Sequence, residues 1–186
     1  MPAPTGPDTL ERYGRAAMRL HWLSAILLVV VATLGLLHDS WSRSTQATWI
    51  NRHAVLGLLL LALVVARLGV RRASPPPPLP PAAGGLARRL AAPVHALLYL
   101  LLLAIPALGI VTFIWHGRAF DFGVVRLDPG VHADRSIFHP TEEWHGDLAY
   151  VLFALVGLHV LAGVWHQVVR RDRMLERMWP PRRARE

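Results

Sequence analysis

The chain has 186 residues and no cysteine, and its 20 basic residues, all arginine, outnumber 12 acidic ones. The missing cysteines exclude disulfides, thiol nucleophiles, Cys-ligated zinc, iron–sulfur clusters and c-type haem attachment. A net charge of +8 would indicate a nucleic-acid partner in a soluble protein. However, apolar residues make up 53% and charged residues only 17%, and the mean hydropathy is +0.35. This balance predicts a membrane protein with its arginines in the loops and no nucleic-acid partner.

Four apolar stretches are close to the roughly 20 residues that cross a bilayer as a helix. They predict helices at about 14–38, 49–70, 90–115 and 144–170. The first contains an uncharged run of 18 residues, longer than the ~7–15 of a signal peptide, so we expect it to be retained. The second spans only if Arg67 is tolerated, and Pro106 predicts a kink in the third. We therefore predict an all-α transmembrane four-helix bundle, a single integral membrane domain over 1–186.

The arginines are distributed unequally between the two sides of this predicted bundle. Fifteen lie in the N-terminal segment, the second connection and the tail, and five lie in the first and third connections. With the acidic residues included, the two sides carry net charges of +10 and −2. The positive-inside rule then predicts that both termini are cytoplasmic.

The two longer connections differ in composition. The cytoplasmic loop 71–89 is rich in proline, which predicts a stiff spacer, although such a segment also resembles a ligand for a proline-binding domain. The external loop 116–143 is the longest connection and mildly acidic, and we expect it to be the docking surface for a partner.

Four histidines fall into two pairs by depth, taking a helical rise of about 1.5 Å per residue. His21 and His159 lie ~24 and ~22 Å below the outer boundary, and His53 and His145 lie ~6 and ~2 Å below it. The fourth helix contributes one histidine to each pair, on nearly the same face and ~21 Å apart along its axis. Histidine is costly inside a bilayer and is usually functional there.

Two levels of paired histidines on facing helices are what two stacked haems require. Bis-histidine ligation leaves no open position on the iron, so such a site carries electrons and does not bind oxygen. We predict two haem b groups, the inner one held by His21 and His159 and the outer one by His53 and His145. A zinc site or a proton pathway would use the same residues and stays open at this point.

Other polar residues are candidates for contacts to the cofactors. Arg67 lies at the depth of the inner pair, where a haem propionate would suit it, or it snorkels to the interface. Arg52 would do the same at the outer haem, or would steer small anions. His95 and His166 near the inner surface are candidates for a quinone site, or are simply interfacial. No nucleophile or acid–base set is evident, so we predict no catalytic residue.

The chain resembles the bacterial cytochrome b561 family from about Tyr13 to Pro181. The matching segments are short, and their order and spacing carry the resemblance: Leu20-His21-Trp22, Arg52-His53, Ala66-Arg67-Leu68, the Pro-rich loop, His95 to Gly109, Trp144-His145, Gly157-Leu158-His159 and Asp172 to Met178 followed by Pro180.

The resemblance implies a dihaem protein of the bacterial inner (plasma) membrane whose axial ligands are the same four histidines in the same pairs. It also implies electron transfer between a periplasmic partner, superoxide in some members, and the quinone pool. The chain would then be an electron-transfer oxidoreductase, with ubiquinone as a further ligand. Two alternatives remain: the cytochrome b subunit of a larger dehydrogenase or hydrogenase complex, and a haem-free, histidine-based metal-ion transporter.

Overall fold

The computed structural model describes residues 11–79 and 83–179, and four long helices dominate them. They are α1 (Arg15–Leu36), α2 (Arg43–Ala73), α3 (Gly85–Trp115) and α4 (Arg135–Trp165), and a π-helical turn, His166–Arg170, continues α4. All four are long and apolar enough to cross a membrane. The predicted all-α transmembrane four-helix bundle is therefore confirmed.

The helices form two antiparallel hairpins. The backbone of α1 packs closely along α2, that of α3 along α4, and α2 and α3 join the hairpins. Helix starts and ends then define two sides of the bundle. The termini side holds the start of α1 and the ends of α2 and α4. The hairpin side is the side on which both helical hairpins turn, and it holds the end of α1 and the start of α4.

Most apolar side chains on the helices face outward. Val29, Leu100 and Leu161 have 65%, 61% and 65% of their surface exposed, as expected where lipid replaces a protein neighbour. A small core joins α2, α3 and α4, and its buried members are Leu60, Val64, Leu98, Leu101, Leu102, Ile105 and Leu152.

Helix α1 lies within its predicted bounds, whereas α2, α3 and α4 begin earlier than predicted, α4 by the most. This helix begins at Arg135 and not near residue 144, so the loop predicted at 116–143 ends at residue 134. The Asp134 carboxylate accepts hydrogen bonds from the backbone N–H and the hydroxyl of Ser136, at 2.9 and 2.7 Å, which caps the new helix start. Polar residues had suggested a loop here, but polarity ends a membrane span and does not end a helix.

The other connections are also shorter than predicted, because the helices run into them. Helix α2 begins at Arg43 and runs to Ala73, and α3 begins at Gly85, so the connection predicted at 71–89 covers only 74–84. Part of the proline-rich spacer, Pro80 and Pro81, lies outside the described residues. So do residues 1–10 and the end of the tail, 180–186, with Pro180 and Pro181 of the resemblance.

A short β-hairpin covers the hairpin side. Strands β1 (Phe120–Asp121) and β2 (Arg126–Leu127) pair antiparallel. Asn51 on α2 holds this β-hairpin through two hydrogen bonds with the backbone of Asp121, at 2.8 and 3.0 Å. Phe120 is buried and packs against Phe113, with ring centres 4.5 Å apart.

On the termini side, Arg177 joins three segments of the chain. Its side chain is only 2% exposed, and its guanidinium donates to the carbonyl oxygens of Glu11, Pro77 and Pro78 at 3.0, 2.9 and 2.8 Å. The carbonyl of Arg177 accepts from Tyr13 N–H at 3.1 Å. We call this set of contacts the Arg177 clasp. Nothing in the hydropathy pattern distinguishes Arg177 from the other arginines of the tail.

Candidate functional site

The hairpin-side pair consists of His53 on α2 and His145 on α4. Their ring centres are 6.0 Å apart and the ring planes lie at 79°. Each histidine is ten residues from the start of its helix, at Arg43 and Arg135. The depth match predicted between them is therefore kept although both helices begin earlier than expected.

Both hairpin-side imidazoles are oriented by a backbone carbonyl. His53 Nδ1 donates to the carbonyl oxygen of Val31 at 3.0 Å, and His145 Nδ1 donates to that of Ile105 at 2.8 Å. Because a carbonyl only accepts, these bonds place the proton on Nδ1 and leave Nε2 with its lone pair. This is the arrangement in which histidine binds a metal ion.

A glycine makes room for each of these rings. A Cβ atom on Gly35 would lie 3.0 Å from His53 Cε1, and one on Gly109 would lie 2.9 Å from His145 Cε1. The distance at Gly109 is shorter than real Cβ contacts, and the distance at Gly35 is so tight that the His53 ring would have to shift. The glycine follows the accepting carbonyl by four residues in each case, so the carbonyl and the gap above the glycine form one seat for the imidazole.

A cavity of about 430 Å³ lies between the two rings and opens toward the hairpin side. Most of the residues that line the cavity are apolar, and they come from all four helices. Charged and polar groups line it toward the hairpin side: His38, Asp39, His116, Arg118 and Glu142. The site can therefore accept a large apolar group whose polar edge faces the aqueous mouth.

The termini-side pair consists of His21 on α1 and His159 on α4, with ring centres 6.5 Å apart and planes at 73°. Each lies six residues from the helix end on this side, at Arg15 and Trp165. His21 Nδ1 is buried and has no hydrogen-bond partner among the described residues. This pair therefore leaves a buried polar atom that a bound group would satisfy.

His95 on α3 joins this second site, although the sequence predicts a position nearer the inner surface. Its ring centre is 5.5 Å from that of His159. Its Nδ1 donates to the carbonyl of Ala91 on its own helix at 2.5 Å. The predicted partner of His95, His166, lies elsewhere: its Nδ1 is bonded to the buried carboxylate of Asp172 at 2.5 Å. The two quinone-site candidates therefore occupy different environments.

The two predicted arginines are placed differently. The Arg67 guanidinium lies 5.4 Å from the Tyr99 ring centre and lines a small cavity of about 30 Å³ with His95 and Tyr99. Arg52 is exposed, with its guanidinium 4.4 Å from the centre of the Trp49 ring, and it does not line the 430 Å³ cavity.

Arg118 takes the place at the cavity that Arg52 was expected to have. Helix α3 ends in a Schellman motif, with Gly117 at φ +70° and Arg118 N–H bonded to the carbonyl of Phe113 at 3.3 Å. This turn sends Arg118 back over the cavity. Burial lowers the pKa of the Arg118 guanidinium, and nearby Glu142 raises it. A His-Gly-Arg run after an apolar helix is the signal that would have identified it.

The geometry fits a haem at each pair. An imidazole binds a metal ion at about 2 Å, so two imidazoles on opposite sides of one ion have ring centres roughly 6 Å apart. Each pair also bridges from the first hairpin to α4, where the described helices do not pack closely. Within 11–79 and 83–179, no three His, Asp or Glu side chains form a group that could hold a metal ion. Each site thus offers two protein ligands, which suits a metal whose remaining ligands come from a macrocycle.

The fold and site define a four-helix membrane protein with paired histidines at two levels. The family described as prokaryotic cytochrome b561 matches residues 12–181, and the chain belongs to that family. Among curated relatives, it is 28% identical to the "Probable superoxide oxidase CybB" of Yersinia pestis, over 94% of this chain and 99% of the relative. It is 31% identical to "Cytochrome b561 homolog 2" of Escherichia coli K12, over 92% and 93%. It is also 31% identical to "Cytochrome b562" of Cereibacter sphaeroides, over 91% and 96%.

Membership of this family establishes the general class of the protein. It is a bacterial membrane cytochrome that binds haem b and transfers electrons. The family resemblance drawn from the short motifs is confirmed, and the haem-free metal-ion transporter has no support.

Proposed function

We propose that the chain carries two haems b and transfers electrons across the bacterial inner membrane, between a periplasmic donor and the quinone pool. His53 and His145 hold the outer haem, and His21 and His159 hold the inner one. The observation that carries the proposal is the occurrence of two histidine pairs, with ring centres 6.0 and 6.5 Å apart, on helices long enough to span a membrane.

When bound, each haem supplies one-electron redox chemistry at its iron. The part of the chain is to bind and orient the macrocycles and to surround them with apolar residues. The carbonyls of Val31 and Ile105 keep Nε2 of the two outer ligands available. The 14 residues from His145 to His159 separate the two levels by ~21 Å along α4, so together the sites cover much of the bilayer.

The proposed orientation follows from charge. We place the termini side in the cytoplasm because it carries 15 of the 20 arginines. The 430 Å³ cavity then opens to the periplasm beneath the β-hairpin. Loop 116–134 and the β-hairpin are the surface that a donor meets first.

Superoxide is a candidate donor, because one relative bears the name of a probable superoxide oxidase. The quinone site is proposed on the termini side, beside Arg67, Tyr99 and His95. The cavity that these residues line has a volume of about 30 Å³, close to that of one water molecule, so a quinone ring binds there only when the side chains move apart. His95 is the better of the two histidine candidates, since the Nδ1 of His166 is already bonded to Asp172.

The alternative in which this chain is the cytochrome b subunit of a larger dehydrogenase or hydrogenase stays a prediction. The name of one relative, a probable superoxide oxidase, favours the proposed function. Co-purification of a stoichiometric redox subunit from native membranes would support the subunit instead.

The test is a reduced-minus-oxidised absorption spectrum of the purified protein with each candidate donor. We expect superoxide to reduce the haem, so that the α-band of a reduced b-type haem appears, and ubiquinone to reoxidise the haem, so that the band disappears. A haem that superoxide reduces but that no quinone reoxidises would contradict quinone as the electron acceptor.

A further inference from the structure

Arg118 is the one arginine among the described residues that line the hairpin-side cavity. It is half-buried, and no hydrogen bond joins its guanidinium to the rest of the described chain. A cation in such a place is costly unless an anion compensates it. The surroundings of Arg118 therefore raise the question of which anion it meets.

The carboxylates at the cavity mouth each lie beside a histidine. Glu142 Oε2 is 3.5 Å from His116 Nε2, and Asp39 Oδ1 is 3.1 Å from His38 Nε2. Glu142 also acts on Arg118 electrostatically, without a hydrogen bond to it. The fork of donors on Arg118 is thus available to a group inside the cavity.

The position of Arg118 is fixed by the backbone on both sides. The Schellman turn at Gly117 precedes it, where an added Cβ would lie 3.4 Å from Ala133 N. Phe120, two residues later, is buried in β1, and Asn51 ties the next residue, Asp121, to α2. A guanidinium held between two anchored points loses less entropy on binding than one on a free loop.

The shape and polarity of the cavity identify the anion. Apolar residues line its depth and charged residues its mouth, and haem b is an apolar macrocycle with two carboxylates on one edge. That edge has to face the polar mouth. Arginine matches a carboxylate with two parallel hydrogen bonds.

We propose that Arg118 binds a carboxylate of the haem held by His53 and His145. The inference rests on the proposed function, and it assigns to Arg118 the role first expected of Arg52. A cation beside a redox group favours its reduced form, since reduction removes one positive charge. Arg118 therefore raises the reduction potential of this haem and slows its loss from the protein.

The experiment compares Arg118→Gln and Arg118→Lys with two controls, Arg126→Gln on the exposed strand β2 and Arg52→Gln beside Trp49. Purified holoprotein is titrated potentiometrically, and haem transfer to excess apomyoglobin is timed. In Arg118→Gln, the spectrum of a bis-histidine haem persists, the midpoint potential of one haem falls, and that haem is lost roughly tenfold faster or more. Arg118→Lys recovers part of both effects, and the controls match the wild type.

The outcomes separate this inference from the proposed function. If His53→Ala loses one haem while Arg118→Gln keeps the wild-type potentials and transfer rates, the role of Arg118 is wrong and the haem assignment stands. An altered salt dependence of donor oxidation in that same variant would point to a free anion at Arg118. If His53→Ala keeps both haems, the haem assignment itself is wrong.

Discussion

His145 on α4 donates its Nδ1 proton to the carbonyl oxygen of Ile105 on α3, 2.8 Å away, and lies over Gly109 one turn later. His53 has the same relationship to Val31 and Gly35 in the other hairpin. The two hairpins therefore each provide one ligand and one seat for it. The spacing of four between carbonyl and glycine is the rise of one helical turn, so a short sequence pattern encodes the whole seat.

The glycine seat predicts the effect of adding one methyl group. In Gly109→Ala the Cβ would lie 2.9 Å from His145 Cε1, and the imidazole has to shift away from its carbonyl. Changes to groups that orient a metal ligand cost roughly 10–100-fold in affinity. We expect the hairpin-side haem to be lost faster by that factor in the apomyoglobin assay.

The matched control is Gly69→Ala on α2, where an added Cβ meets nothing within 4 Å. It removes a flexible residue from a helix, so it leaves haem binding unchanged and stabilises the protein by up to about 1 kcal/mol. Equal haem retention in Gly109→Ala and Gly69→Ala would show that His145 does not need its seat.

On the termini side, two histidines lie close enough to His159 to be the second ligand of the same haem. His21 lies 6.5 Å and His95 5.5 Å from it, ring centre to centre. If His21 is the ligand, His21→Ala removes one haem, whereas His95→Gln keeps both haems with bis-histidine spectra. Electron paramagnetic resonance of the ferric protein distinguishes the two cases. Loss of a haem in His95→Gln, with both haems kept in His21→Ala, would reverse the pairing.

The Arg177 clasp predicts a stability effect far from either pair. Arg177→Ala leaves the carbonyls of Glu11, Pro77 and Pro78 without their donor. Lost hydrogen bonds to a buried charge amount to roughly 3 kcal/mol of stability. We expect a lower Tm in detergent and faster proteolysis within the proline-rich connection. Arg72→Ala, exposed at the end of α2, is the control, and an equal Tm in both variants would rule out the clasp as a stabilising element.

The absence of cysteine makes the membrane orientation directly testable. Val124 at the tip of the β-hairpin is 93% exposed, and Ser74 lies in the connection on the termini side. A membrane-impermeant maleimide added to intact spheroplasts should label Val124→Cys and leave Ser74→Cys unlabelled. The opposite pattern would place the termini in the periplasm.

The sequence predicted the helices and the four paired histidines because both depend on periodic, local features. Hydropathy identifies what lies in lipid, and helical rise relates residues on different helices. The prediction lost accuracy at Arg135, where a polar helix continues beyond the apolar span. It also lost accuracy at His95, whose ring centre lies 5.5 Å from that of His159 although residue counting along α3 places it nearer the inner surface. Arg118 and Arg177 were missed since their positions depend on turns and on contacts 100 or more residues away along the chain.

The haem-to-protein ratio decides whether the two histidine pairs each hold a haem. It is measured by pyridine haemochrome on the wild type and on single alanine variants of the four histidines. We expect two haems b per chain in the wild type. We expect one in His53→Ala, with the α-band of the termini-side haem retained, and one in His21→Ala, with the other band retained. A wild-type protein with one haem per chain, or a His53→Ala variant that keeps two, would contradict the assignment of the two histidine pairs.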